Sequence, residues 1–129
     1  MTIRRPLVRI AGQVVQLPAA DTLAGTPAPV LAISATTRTL GLADAGAYLR
    51  CTGASTVITI PAQASVAWVA DTEVTIRHAG TGNLTLTPAS GVSLGAPSGG
   101  TLVMTVAMTV TLKRVATDVW DVIGQTVAV

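Results

Sequence analysis

The side chains best suited to nucleophilic catalysis occur once each in this chain of 129 residues. His78 is the only histidine and Cys51 is the only cysteine. A serine or cysteine nucleophile would need His78 as its base, and the neighbouring Arg50 would favour the thiolate of Cys51. A Cys51–His78 pair stays open, but the pattern favours structural roles for both residues. We expect a strand-end histidine that meets the polar groups of a turn, and a small apolar cysteine on a buried strand face.

The six carboxylates offer a second kind of chemistry. A glycosidase needs two facing carboxylates, and Asp71 and Glu73 would share a strand face if their strand begins early. Asp118 and Asp121 lie beside a predicted turn, and no calcium-loop spacing occurs. Residues 80–83 lack the Lys-Ser/Thr ending of a phosphate-binding loop. We therefore predict turn-capping or solvated acids, and neither a catalytic residue nor a cofactor or metal.

The composition indicates that an all-β body positions these residues. The chain has 21 Ala, 20 Thr and 17 Val, with 12 Gly and 7 Pro as breaks between short segments. Thr and Val favour strands, and the spacing of the turn signals is typical of a sandwich or barrel. We predict a hairpin of residues 73–78 and 84–87, one long strand over 101–115, and burial of Trp68 and Trp120. The remaining predicted strands cover residues 39–42, 47–52, 56–60, 65–69, 91–94 and 118–123.

The N-terminal segment differs from the rest. Residues 1–29 are predicted to form an extended arm and linker, and residues 30–129 the β-sandwich body. The arm carries three of the eight cations, and we expect it to bind a protein surface rather than DNA. The predicted partner-binding residues of the arm are Arg4, Arg5, Leu7, Arg9, Ile10, Val14 and Leu17.

The charge balance excludes several classes of partner. The net charge is +2, only 11% of residues are charged and 2% are aromatic. Nucleic-acid interfaces usually show a dense basic stripe with aromatic platforms, so we expect no nucleic-acid partner. The run 102–112 is too short to span a bilayer, so we expect no membrane insertion, and the opening residues lack a secretory signal. Since a soluble monomer normally carries more charge, we expect a homotrimer that covers apolar surface.

Several segments together resemble virion proteins of tailed bacteriophages. The opening residues 4–8, Gly12 and residues 16–23 resemble a segment at the start of tail-fibre-like chains. Residues 42–48, 57–61, 74–86, 111–113 and 120–124 resemble a small β-domain of the same class. The chain departs from long fibres because it has no extended repeat, receptor-binding tip or room for a shaft.

The resemblance implies an antiparallel β-sandwich or jelly-roll-like body with an extended N-terminal arm, located in the virion and assembled in the host cytoplasm. It implies a structural protein, not an enzyme. The favoured function is a capsid decoration (cement) protein that trimerises on the lattice of the major capsid protein and stabilises the shell through its arm. The alternative is a tail-fibre or baseplate component involved in host-surface recognition. A cell-wall hydrolase that uses Asp71 and Glu73 is the candidate from another class.

Overall fold

The computed structural model describes residues 7–10, 13–16 and 27–129. Within these residues the secondary structure is almost entirely β, with one 3-10 turn at Leu42–Asp44. The strands are β1 (Leu7–Ile10), β2 (Gln13–Gln16), β3 (Val30–Ile33), β4 (Thr37–Thr39), β5 (Tyr48–Cys51), β6 (Val57–Ile60), β7 (Glu73–His78), β8 (Leu84–Pro88), β9 (Ser93–Gly95), β10 (Val103–Met104), β11 (Thr109–Ala116) and β12 (Val119–Gly124).

From β3 to β8 the chain winds between two sheets. Strands β3, β5 and β7 lie parallel in one sheet, and β4, β6 and β8 lie parallel in the other. The chain therefore makes three successive coils, each with one strand in either sheet. Equivalent residues stack in register, so that Cys51 is the Cα partner of both Ile33 and His78.

Strands β9 to β12 complete the two sheets after the third coil, and every pairing they make except β9 with β12 is antiparallel. β11 pairs with β7 and with β12, and β9 joins β12 in parallel, which gives the order β3-β5-β7-β11-β12-β9. In the other sheet β10 pairs antiparallel with β8, which gives β10-β8-β6-β4. The predicted all-β class with a two-sheet body is confirmed. The sheets are mixed, however, because winding into coils makes strands of successive coils run parallel.

The predicted hairpin of residues 73–78 and 84–87 is wrong, although both strands exist. β7 and β8 belong to different sheets, and residues 79–83 form the corner between them. This corner packs on the previous one: Ala54 and Thr81 form a parallel bridge, and Ser55 N donates to Thr81 O at 2.9 Å. The residues Gly80, Gly82 and Asn83, which suggest a hairpin in the sequence, therefore lie in a corner that carries the chain from one sheet to the other.

Three predicted strands also differ from the structure. The segment 101–115 is interrupted between β10 and β11, where Ala107 has a φ of 72° and Val106 is 61% exposed. Residues 65–69 form no strand: a turn ends at Ser65, where Val66 N bonds back to the carbonyl of Ala62, and residues 67–69 have no regular secondary structure. In the predicted strand 39–42, β4 ends at Thr39 and the 3-10 turn begins at Leu42.

Inward-facing side chains of both sheets form one core cluster. Trp68 and Trp120 are both buried, as predicted, and their rings meet edge-on with centroids 5.2 Å apart. Such a contact adds to the area that the two rings remove from water. Within the described ranges, no helix has the length and apolar character to cross a membrane.

Candidate assembly surfaces

Cys51 and His78 lie side by side on β5 and β7, and both are fully buried. The His78 ring nitrogen Nε2 is 2.8 Å from the carbonyl oxygen of Gly82, which ties the strand end to the following corner. Burial raises the pKa of the Cys51 thiol from 9.0 to about 11, while the Arg38 charge lowers it and the Asp44 charge raises it. The protonated, buried thiol acts as an apolar core residue. Both predicted structural roles agree with this geometry.

Lys113 contacts both residues of the proposed carboxylate pair, Glu73 through its side chain and Asp71 through its backbone. Lys113 Nζ donates at 2.9 Å to Glu73 Oε1 and at 2.9 Å to the backbone carbonyl of Asp71. Asp71 itself has a φ of 65° and lies exposed in the turn before β7. The Asp118 carboxylate accepts a hydrogen bond from Gln63 N at 2.7 Å. These contacts agree with the predicted roles of turn capping and solvation.

Asp44 differs from the other acids because it is buried. Its Oδ1 accepts a hydrogen bond from the Arg38 guanidinium at 2.6 Å, and its Oδ2 accepts one from Gly41 N at 2.9 Å. Arg38 occupies a register position level with Ile58 and Leu86, on the inner row of its sheet. The ion pair therefore closes the end of the core at the first coil.

No pocket and no group of three potential metal-ligating side chains occur in the part of the chain that the structure describes. Its inner volume is filled by packed side chains instead. The distinctive features of the body are its outer faces and edges.

Four of the predicted arm residues lie on described strands. Leu7, Arg9 and Ile10 belong to β1, and Val14 belongs to β2, which pairs antiparallel with β1. Arg9 and Val14 are Cα partners in this hairpin. Arg4, Arg5 and Leu17 lie outside the described residues, and the predicted arm over 1–29 stays a prediction. β3 begins at Val30.

The outer face of the four-stranded sheet carries no charge. Its outward positions form two rows across the strands, because residues in register stack beside one another. We call this surface the Thr/Val face: Thr37, Val57, Thr85 and Val103 in one row, and Thr39, Thr59 and Thr87 in the other. All seven side chains are exposed or half-buried.

The outer face of the six-stranded sheet is charged. Arg50 and Arg77 are adjacent register partners on β5 and β7, and Glu73 pairs with Lys113 further along. Asp121 on β12 is the register partner of Lys113, so Glu73, Lys113 and Asp121 form a second charged row beside the arginines. The two faces of the body thus differ sharply in charge although both consist of strands.

Sequence reasoning missed the Thr/Val face. The signal was present in Thr37-Arg38-Thr39 and Thr85-Leu86-Thr87, where threonines alternate with inward residues. Only the parallel register between coils, however, shows that these threonines form continuous rows.

Comparison with known proteins adds no relative. No family model, no curated protein and no solved structure matches the chain.

Proposed function

We propose that this chain is a structural protein of a tailed-bacteriophage virion, and that it decorates the capsid. Three copies associate on the head surface and stabilise the lattice of the major capsid protein through their N-terminal arms. The proposal is supported by the resemblance of residues 4–23 and of the body segments to phage virion proteins. It assigns the protein no enzymatic activity, no cofactor, and neither nucleic acid nor membrane as a partner.

The Thr/Val face is the observation that carries the proposal. Solvent-facing strands of soluble proteins commonly hold charged residues, especially near sheet edges. The cores of protein–protein interfaces are instead depleted in charge. Seven uncharged side chains in two regular rows suit a surface that packs against other copies. We assign this face to the contacts within the trimer.

The arm supplies the second contact. Each arm adds only a small binding energy, but the copies of one trimer engage the lattice together, so their contributions combine. Arg4, Arg5 and Arg9 would pair with acidic groups of the capsid surface, while Leu7, Ile10, Val14 and Leu17 would supply apolar contact. A decoration protein of this kind needs no reaction centre.

Immunogold labelling of intact particles tests the proposal. Purified virions of the phage that encodes this chain are treated with an antibody against the body, residues 30–129. We expect label over the whole head surface. Absence of the protein from particles would contradict a virion role, and label confined to the tail would favour the alternative.

That alternative, a tail-fibre or baseplate component, is favoured by the charged face. Arg50 and Arg77 stand side by side with Tyr48 in the next row, a combination suited to anionic polymers of a host surface. Binding of purified protein to host cells, lost in Arg50→Ala with Arg77→Ala, would support this function. We expect no such binding for a decoration protein.

The hydrolase candidate has a direct test. Purified protein is incubated with cell walls, alongside the Asp71→Asn and Glu73→Gln variants. We expect no release of soluble fragments by any of the three. A wild-type activity that both variants lose would contradict the structural proposal.

A further inference from the structure

The first coil leaves the edge of the six-stranded sheet open. Tyr48 N donates to Pro29 O at 2.8 Å, and Thr52 N donates to Ile33 O at 2.8 Å. Alternate residues of a strand in a parallel ladder bond to the same neighbour. Pro29, Leu31 and Ile33 therefore face β5, whereas Val30 and Ala32 direct their N–H and C=O groups away from the sheet. Among the described residues, no strand pairs with this side of β3.

The side chains of this edge are also apolar and accessible. Val30 is 65% exposed and Ala32 is exposed, while Leu31 packs against the core. An open edge with apolar side chains and no charge is a template for another strand. Natural edges of this kind are usually covered.

The β1–β2 hairpin has no third strand among the described residues. Of the twelve described strands, β1 and β2 pair only with each other. A two-stranded hairpin alone is only marginally stable in water, and addition to a sheet edge would stabilise it. The hairpin would gain a third strand from β3, and the β3 edge would gain hydrogen-bond partners from the hairpin.

We propose that the β1–β2 hairpin of one copy adds to the β3 edge of a second copy. Among the described strands of one chain, β1 and β2 do not pair with β3, which favours a neighbour as the host. Thirteen residues separate Gln16 from Val30, and Pro27 and Pro29 stand directly before β3. Such a linker can extend up to roughly 45 Å, enough to reach an adjacent subunit.

This exchange is head-to-tail, because the hairpin of each copy meets a different surface on the next. Contacts of this type close into rings when the rotation permits. The inference therefore deepens the proposed trimer and rests on it for the number of copies. The contact with β3 uses backbone groups of the hairpin, whereas the proposed capsid contact uses its side chains, so one hairpin can make both. It names a donor, the hairpin β1–β2, and an acceptor, the amide groups of Val30 and Ala32.

Amide hydrogen exchange of the full chain, followed by NMR at a series of chain concentrations, tests the exchange. We expect the amides of Val30, Ala32 and the hairpin to gain protection together, by roughly tenfold or more, as concentration rises. The amide of Leu31, which faces β5, should stay equally protected throughout. The series runs from concentrations at which light scattering shows single chains to concentrations at which it shows trimers. Equal protection of Val30 and Ala32 in single chains and in trimers would mean that each hairpin covers its own edge, and would overturn the proposal. So would an unprotected Val30 and Ala32 at every concentration.

A proline substitution at the β3 edge distinguishes loss of the proposed acceptor amide from a general loss of folding. Ala32→Pro removes an N–H that points away from β5, and the matched control Leu94→Pro removes the outward N–H of β9 at the opposite edge of the same sheet. We expect Ala32→Pro to lose hairpin protection and Leu94→Pro to keep it, with Ile76 protected in both. Hairpin protection that persists in Ala32→Pro, or that is lost in both variants, would overturn the assignment of β3 as the acceptor. Should Ala32→Pro fail to fold, Val30→Lys places a charge at the same edge and carries the same expectation.

The outcome is independent of the virion experiment. A protein that labels heads but shows no concentration-dependent protection at Val30 and Ala32 overturns only the exchange. A protein absent from particles that shows this protection overturns only the proposed function.

Discussion

At the residue scale, Gly80 holds two coils together. A side-chain carbon at this position would collide with the carbonyl oxygen of Gly53 and lie 2.8 Å from the carbonyl carbon and oxygen of Thr52. These are backbone atoms of the previous corner, so they cannot move aside cheaply. The stacking of corners therefore depends on the absence of a side chain at this position.

Gly80→Ala should lower the free energy of unfolding by about 2–3 kcal/mol, because the added methyl separates stacked corners. Gly41→Ala is the matched control: its φ is −138° and an added carbon would meet nothing within 4 Å. We expect this control to change stability by less than about 1 kcal/mol. Urea denaturation measures both variants. Equal stability of Gly80→Ala and the control would contradict the packing of these corners.

The buried thiol of Cys51 makes a separate prediction about pH. Its pKa is raised to about 11 in the folded chain from 9.0, so the folded state holds its proton more tightly. The stability that this proton supplies is complete below pH 9 and is lost as pH rises through 11. Urea titrations from pH 8 to 11 should show a fall in stability that is steeper than in Cys51→Ala. Identical pH profiles for the two proteins would contradict the assigned burial.

At the element scale, alternating side chains predicted individual strands well. The bounds of β7 agree with the prediction, and β8 and β12 differ by a residue or so. Residues 56–60 and 47–52 contain β6 and β5. β3 was missed because Val30–Ile33 has no polar alternation, and its outward positions hold Val30 and Ala32.

The pairing of strands was not predictable from local pattern. A short Gly-rich loop can reverse a chain within one sheet or carry it to another sheet, and residues 79–83 do the latter. The choice depends on contacts with the previous corner, some 27 residues earlier in the Ala54–Thr81 bridge. Non-local contacts of this kind leave no mark in the spacing of apolar residues.

The turn between β10 and β11 offers a test at this scale. Ala107 has a φ of 72°, a conformation that costs an L-residue about 1–2 kcal/mol and glycine almost nothing. Ala107→Gly should therefore stabilise the protein by about 0.5–1 kcal/mol, after the entropy of the unfolded glycine is deducted. The control Ala64→Gly, at an exposed turn residue without positive φ, should be neutral or destabilising. Thermal unfolding compares them, and a destabilised Ala107→Gly would contradict the turn geometry.

At the scale of the whole molecule, charge and apolar content predict a partner-binding arm, and its role in binding stays a prediction. Leu7, Arg9, Ile10 and Val14 lie on the strands of a hairpin. The Thr/Val face and the open β3 edge could not be predicted, because both arise from the parallel register of coils. Low total charge indicated covered surface but could not locate it.

Removal of residues 1–23 tests the division of labour between arm and body. Among the residues whose burial the structure describes, the core cluster extends from Ile33 to Val122, so the shortened chain should keep a cooperative unfolding transition. Under the proposed function the arm makes the capsid contact, so the shortened chain should no longer attach to capsids stripped of the full-length protein. Co-sedimentation with such capsids measures attachment. Binding at full occupancy would show that the arm is dispensable.

The assembly of the free protein is the most direct test of a structural role. Light scattering coupled to size-exclusion chromatography gives the mass of the full-length chain in solution. The account predicts a particle of three times the 13.0 kDa chain mass. A stable single chain at micromolar concentration would contradict it.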